Sequence, residues 1–331
     1  MKINIELKDL KEVYNLSKGD LNITADNNEL RVISINKDEV IVMKDTKGSV
    51  IEKGSILIDV EIINNIKFKN EDVVINENTL KVKNRKFTFT EEEAKIKENN
   101  IGEKIAILSA DDYKKILTLE YAISKDEVRP ILQNVYVDHE NFVALDGYRM
   151  GIRKHNITFT TDINEFFIPL KMFKLMKKIK VNEKSNIEVY KNNLMVTIKI
   201  DNLYLSAISE EGRYIEYKSV IPCKHKIETV IDPIQVLEVL KSYDKNSKLV
   251  KLDIKNDSMI MSTSNEKFSL DDEIKVNSND KILIGFNPIY LKDALSNYKE
   301  KITLNFNNDV SPVTIKAGDY FELLLPVKFS R

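Results

Sequence analysis

Apolar and polar residues alternate with period two through most of the chain, and the alternation turns over at short polar clusters. Residues 30–43, 142–152 and 259–270 each read as a strand, a polar turn and a second strand. Each is followed by a strand that runs into a helical segment, at 56–66, 167–176 and 283–295. The pattern therefore occurs three times, with a period of about 110 residues, the size of a small domain and too long for a solenoid unit. Further alternating pairs surround Asn-rich turns at 73–82, at 186–200 around Asn192-Asn193, and at 301–316 around Asn307 to Asp309. They predict antiparallel hairpins with one buried face.

Helical spacing opens each copy. Leu7, Leu10, Val13 and Tyr14 recur before Gly19, and Tyr113, Ile116, Leu117, Tyr121 and Ala122 follow Ser109 as N-cap. Ile234, Leu237, Val239 and Leu240 follow Asp232-Pro233, a cap with proline at the first helical position. Two helices and several strands per copy predict an α+β fold in which helices cover antiparallel sheets. Polar stretches near 98–104 and 222–229 set boundaries that give domains 1–104, 105–222 and 223–331.

Composition narrows the function classes. With 42% hydrophobic and 31% charged residues among 331, the chain reads as a soluble globular protein with no secretory signal or membrane span. A single cysteine, Cys223, excludes an intrachain disulfide framework and fits a reducing, cytoplasmic setting. Three scattered histidines make no metal cluster, and no cofactor is expected. The net charge is −1, with 18 basic against 20 acidic residues in 1–104, 17 against 16 in 105–221 and 16 against 16 in 222–331. That balance argues against a tight nucleic-acid binder and leaves room for a local basic surface. The best catalytic cluster is Asp146, Arg149 and Arg129 with Glu127, which reads either as a phosphate-directed site or as a turn. No ligand set, nucleophile elbow or phosphate-cradling loop accompanies it.

Three stretches carry a family resemblance. The first is Glu127-Val-Arg-Pro-Ile-Leu-Gln-Asn-Val-Tyr-Val-Asp138 with Val143-Ala-Leu-Asp-Gly-Tyr-Arg-Met150. The second is Glu211-Gly-Arg-Tyr-Ile-Glu-Tyr-Lys-Ser-Val-Ile-Pro222. The third joins Ile284-Gly-Phe-Asn-Pro-Ile-Tyr-Leu-Lys-Asp-Ala-Leu295, Ser311-Pro-Val-Thr-Ile315 and Leu323-Leu-Leu-Pro-Val-Lys-Phe329. Together they resemble the bacterial DNA polymerase III beta subunit, the sliding-clamp family, across residues 105–331. Residues 1–104 match in outline only, with a trimmed opening helix.

The resemblance implies three clamp-type domains forming half of a ring, closed as a head-to-tail homodimer around duplex DNA without sequence readout. Its implied partners are a replicative DNA polymerase, a clamp loader and other proteins carrying clamp-binding motifs, in the cytoplasm at the nucleoid and away from membranes. A ring linked topologically to DNA needs only mobile cations near phosphates. The most basic helical segment, 170–180, would bury Leu170, Phe173, Met176 and Ile179. It would present Lys171, Lys174, Lys177 and Lys178 to DNA or, equally, to solvent. Lys114, Lys115 and Lys292 are weaker candidates, and Lys125 and Arg129 come from a loop that touches DNA in the family. Arg129 also suits a structural pairing with a neighbouring carboxylate.

A partner-peptide cleft is implied between the second and third domains. Its walls would be Leu132, Leu145, Gly147, Tyr148, Arg149 and Met150, then Ile215, Ser219 and Val220. The third domain would add Asn287, Tyr290, Val313, Leu323, Leu324, Leu325, Pro326, Val327 and Lys328. The chain departs from the family pattern at Leu145 for Thr, Tyr148 for His, Ile215 for Pro and Ser219 for Arg, changes that bear on peptide preference. The dimer seam would set Phe87 and Phe89 against Tyr243, Lys245 and Asn246 of a partner. Polar residues at the last two positions imply a weaker ring, a shifted contact or a seam of edge-strand pairing and charge. The alternative reading is a clamp-like interaction protein that binds replication partners without closing a ring.

Overall fold

The computed structural model describes residues 1–26, 29–68, 71–90, 100–243, 247–264 and 269–329. They form two compact units, one of residues 1–117 with 156–211 and one of residues 118–155 with 212–331. The fold is α+β, with helices packed on antiparallel sheets.

In the first unit a five-stranded sheet runs in the order Gly48–Glu52, Lys2–Glu6, Asp72–Asn76, Thr79–Val82, Arg85–Thr88. A nine-stranded sheet follows the order Thr158–Phe159, Glu103–Leu108, Ile187–Asn192, Met195–Ile200, Leu203–Ile208, Ile41–Thr46, Glu29–Ile35, Leu21–Asp26, Gly54–Ile58. The ladder Leu203↔Lys44 to Ser206↔Ile41 joins the second copy of the repeat to the first. In the second unit the order is Asn134–Val137, Asn141–Leu145, Arg149–Lys154, Tyr320–Leu324, Val313–Ala317, Ile302–Phe306, Ile227–Ile231, Asn277–Ser278. Here Arg149–Lys154 of the second copy pairs with Tyr320–Leu324 of the third. A four-stranded sheet runs Ser269–Lys275, Ser258–Ser264, Val250–Ile254, Ile282–Phe286. These two ladders divide the second copy between the units, so the compact units cut across the sequence repeat.

Each copy contributes two α-helices among the described residues: Leu7–Ser17 and Val60–Asn65, Ala110–Leu117 and Leu170–Met176, Pro233–Ser242 and Pro288–Leu295. Their ends follow local chemistry. The Ser109 hydroxyl accepts the Asp112 N–H at 3.0 Å, while the Asp112 carboxylate accepts the Ser109 N–H at 3.0 Å, a reciprocal cap. Asp232 caps Ile234 ahead of Pro233, and Asn287 caps Ile289 ahead of Pro288.

Several sequence expectations shift. The helix after Ser109 stops at Leu117, and Tyr121 and Ala122 lie in a separate 3-10 turn, Glu120–Ala122. Ile234 is 48% exposed, and Val236 takes its place in the core. Leu170 and Ile179 are only partly buried, whereas Met172 and Leu175 fill the core beside Phe173 and Met176. That helix ends at Met176, so Lys177 and Lys178 fall in the turn beyond it.

Candidate partner-binding cleft and basic face

The turn between Asn141–Leu145 and Arg149–Lys154 organises the candidate cleft. Asp146 accepts the N–H groups of Tyr148 at 3.0 Å and Arg149 at 3.1 Å. Gly147 adopts φ +92°, a backbone conformation costly for a residue with Cβ, and the Arg129 guanidinium lies about where that Cβ would make contact. The N–H of Leu325 donates to the Tyr148 carbonyl at 2.8 Å, which carries the C-terminal segment past the turn. A second tether comes from Val327, whose N–H donates to the Gly285 carbonyl at 2.8 Å.

Arg149 is the hub. It donates to Asp146 at 2.9 Å and to Asp293 at 2.7 Å, with its guanidinium 4.2 Å from the Tyr290 ring centroid and 5.1 Å from that of Tyr121. Tyr148 lies 6.0 Å from Tyr290, ring to ring, and is 59% exposed. Two carboxylates neutralise the arginine and two aromatic rings cover it, so the outward surface here is apolar and aromatic. The cluster considered as a catalytic site is thereby used up: Asp146 holds the turn and Arg149, while Arg129 pairs with Asp126 at 3.2 Å. Among the described residues, no group of three or more His, Cys, Asp or Glu side chains could hold a metal ion.

The expected cleft residues separate into two sets. Tyr148, Ile215, Val220 and Leu325 are exposed apolar side chains, and Gly147, Ser219 and Lys328 are exposed beside them in the chain. Tyr290, Asn287, Pro326 and Val327 are half-buried. By contrast Leu132, Leu145, Met150, Val313, Leu323 and Leu324 are buried and belong to the core, not to an open wall. Strand alternation alone does not separate these sets, because Leu323 and Leu324 are consecutive and both faces of their sheet are covered. Asn287 is committed as a helix cap and does not offer its side-chain oxygen to a peptide. The stretch holding Ile215, Ser219 and Val220 is anchored from below. Tyr214 stacks on Tyr136 at 4.6 Å, and the Tyr217 hydroxyl donates to Asp138 at 2.6 Å.

Of the cations expected to face DNA, Lys114, Lys125, Arg129, Lys174, Lys177, Lys178 and Lys292 are exposed, and Lys171 is half-buried. Lys115 departs from expectation: it is 4% exposed and paired with Asp111 at 2.9 Å. The helices that carry Lys114 and Lys174 are tied together by the Tyr113 hydroxyl, which donates to the Met176 carbonyl at 2.9 Å. At the seam, Phe87 and Phe89 are half-buried, and Lys245 and Asn246 lie outside the described residues. Tyr243 is 6% exposed and turned into its own core, where its hydroxyl donates to the Met261 carbonyl at 2.9 Å. It is therefore not available as a surface contact.

One buried network escaped sequence reasoning. Arg153 and Glu322 both have fully buried side chains and meet at 2.8 Å, and Glu322 also accepts from Tyr121 and, at 3.3 Å, from Asn297. Arg153 donates to Thr118 at 2.9 Å and lies 4.4 Å from the Tyr320 ring centroid. Burial pushes the Glu322 carboxyl up to about 7, against the pull of Arg153 and the hydrogen bonds. Gly151 makes the space: a Cβ there would come within 2.7 Å of Leu119 and 2.9 Å of the Tyr121 hydroxyl. The available signal was Glu322, a lone carboxylate set in the apolar strand Tyr320–Leu324.

Comparison with known proteins adds to this geometry. The family models described as DNA polymerase III beta subunit, central domain and C-terminal domain match residues 108–216 and 218–323. The chain belongs to the DNA polymerase III beta subunit family. It is 25% identical over 242 residues to the beta sliding clamp of Streptococcus pneumoniae, a match covering 67% of this chain and 64% of that protein. It is 24% identical over 229 residues to the beta sliding clamp of Staphylococcus aureus, covering 64% and 61%. The match thus spans less than two thirds of these relatives' length. Among solved structures, a putative DNA polymerase III beta subunit from Eubacterium rectale superposes with TM-score 0.88 at 21% identity, covering 99% of this chain and all of that one. The DNA polymerase sliding clamp from Bacillus subtilis gives 0.85 at 18%, covering both chains completely. At such identities these likenesses establish the fold, including residues 1–104, which neither family model reaches.

Proposed function

We propose that this chain is a DNA sliding clamp: two copies close head to tail around duplex DNA and tether a replicative polymerase, a clamp loader and other partners through short peptide segments. Each copy would supply three domains, 1–104, 105–222 and 223–331. The observation that carries the reading is the pair of family matches along 108–323, together with a fold likeness that extends over nearly the whole chain. The proposal assigns the protein no catalysis. Its place is the cytoplasm, at the nucleoid; among the described residues no helix is long and apolar enough to cross a membrane.

The physical division of labour suits such a ring. Lys114, Lys174, Lys177 and Lys178 offer mobile charge to phosphates, and near-neutral overall charge keeps the hold weak enough to slide. Tyr148, Tyr290 and Leu325, over a neutralised Arg149, form an aromatic and apolar seat for peptide anchors. Sedimentation across concentration, coupled to retention on nicked circular against linear DNA, tests the reading. A species near twice 38.3 kDa that stays on circles and slips off linear ends is the expected result. A monomer at every concentration that still binds clamp-binding peptides favours the interaction protein without a ring.

A further inference from the structure

We propose that Tyr121 and Glu322 are positioning residues of the partner cleft, which hold Arg149 and Tyr290 in the places a bound peptide requires. The inference rests on the cleft proposed above and adds what sets its geometry from beneath.

One strand face links the cleft to the core. Arg149, Gly151 and Arg153 alternate onto the same face of the strand Arg149–Lys154. Arg149 lies at the cleft end, and Arg153, fully buried, lies at the other. Gly151 stands between them, opposite Glu322 of the neighbouring strand. Tyr121, half-buried, crosses the gap that Gly151 leaves. Its ring lies 5.1 Å from the Arg149 guanidinium, and its hydroxyl donates to Oε2 of Glu322. A Cβ at residue 151 would come within 2.9 Å of that hydroxyl and 3.3 Å of Oε2.

A second route leaves the same carboxylate. Oε1 of Glu322 accepts from Arg153 at 2.8 Å and from Asn297 at 3.3 Å. Asn297 follows the helix Pro288–Leu295, one turn beyond Asp293, which binds Arg149 at 2.7 Å. Tyr290, whose ring covers Arg149 at 4.2 Å, is one turn before Asp293. Glu322 thus fixes two supports of Arg149: the Tyr121 ring, and the helix that carries Asp293 and Tyr290. Its own strand runs on to Leu325, whose N–H is tied to the Tyr148 carbonyl at 2.8 Å.

The two carboxylate oxygens are not equivalent. Oε1 faces the Arg153 guanidinium, which is also held by Thr118 at 2.9 Å and by the Ile152 carbonyl at 2.9 Å. Oε2 faces the Tyr121 hydroxyl, so a proton added to Glu322 goes to Oε2. Two hydrogens then compete for the space between two oxygens, and the one that turns away frees the ring that braces Arg149. Among the described residues, the charged and titratable groups that face Glu322 are Arg153 from the strand beside it, Tyr121 from the turn Glu120–Ala122, and Tyr298 beyond the helix. Ile315, opposite it on the other neighbouring strand, brings none. Burial holds both tyrosines well above their ordinary 10, so Glu322 is the member that titrates, at about 7.

Titration calorimetry on the whole chain tests the assignment, with a short capped peptide of Gln, Leu and Phe that carries no titratable group. The ionised Glu322 holds Tyr121, so the parent should bind about fivefold more tightly at pH 8 than at pH 6, the size of one net hydrogen bond. Glu322→Gln, neutral at every pH, should keep the parent's pH 6 affinity throughout. Tyr121→Phe keeps the ring and loses the hydroxyl; it should flatten the profile and bind about fivefold more weakly at pH 8. Both variants are checked for native circular dichroism. Tyr204→Phe removes a like tyrosine–carboxylate bond of 2.6 Å in the other unit and should bind as the parent does at each pH. A slope that persists in both Glu322→Gln and Tyr121→Phe, or affinities in both that match the parent's, overturns the assignment while the cleft stands. A parent that binds the peptide at no pH overturns the cleft and the assignment together.

Discussion

The two ladders that join successive copies do the same topological work, and each buries a cation against carboxylates, but only the first keeps one of those carboxylates in water. In the first unit, Leu203–Ile208 meets Ile41–Thr46 through Leu203↔Lys44, Tyr204↔Met43 and Leu205↔Val42. Its charge is marginal: Lys44 pairs with Asp9 at 2.9 Å and with Glu12, whose side chain is 46% exposed. In the second unit, Arg149–Lys154 meets Tyr320–Leu324 around an arginine and a glutamate sealed from water. Where water still reaches one partner, loss of an ion pair is absorbed by hydration. Where none does, the surviving charge stays buried and unmatched.

The largest expected effect lies at the sealed junction. Glu322→Ala strands Arg153 and should cost about 3–5 kcal/mol in urea unfolding, whereas an Arg153→Met, Glu322→Leu pair should recover most of that loss. If the single substitution costs no more than an exposed pair would, the contrast between the junctions is void.

Acidity separates them next. The folded Glu322 carboxyl titrates near 7, above its ordinary 4.5, so the folded state holds that proton longer than the unfolded chain. Its contribution to stability is therefore fullest below about 4.5 and declines as pH rises to about 7; Glu322→Gln should remove that decline. Lys44 is raised above 10.5: burial lowers it, but the hydrogen bonds it donates to Asp9 and Glu12 outweigh burial. Its contribution is present below 10.5 and is lost only as pH climbs past it. Unfolding curves at pH 5, 7, 9 and 11 check both signs.

Smaller effects belong to the first junction. The Tyr204 hydroxyl donates to Asp45 at 2.6 Å, and Tyr204→Phe should cost about 1 kcal/mol by thermal unfolding. Glu12→Ala leaves Lys44 on Asp9 and should cost less than about 1 kcal/mol; a loss comparable to that of Glu322→Ala would erase the distinction between a ladder with one hydrated partner and a sealed one.

Much of the architecture was legible because it is local. Asn193 takes a positive φ in the turn between Ile187–Asn192 and Met195–Ile200, and Ser109 and Asp232 cap the helices they precede. Helix lengths were overread, since apolar spacing continues through Tyr121 although the backbone has already left the helix after Leu117. The site was legible only in part. Tyr148 and Leu325 are the exposed residues their motifs implied, but the burial of Lys115, Tyr243 and Leu323 depends on layers brought together from distant sequence. The Arg153–Glu322 pair spans 169 positions, and nothing in either strand alone reveals that its charge has an answer.

That separation has a consequence for how the protein is made. Chains emerge and fold from the N-terminus. The strand Arg149–Lys154 therefore leaves the ribosome long before Tyr320–Leu324, the neighbour that both pairs its backbone and neutralises Arg153. Until Tyr320–Leu324 has been made, the second copy keeps an open edge and an unmatched cation. Nascent chains halted before Tyr320 will be cut by protease within residues 118–155; resistance there would mean that this segment closes without its last strand. In this molecule the second copy cannot complete its fold without the last strand of the third, and a chain cut before Tyr320 carries a charge it cannot answer.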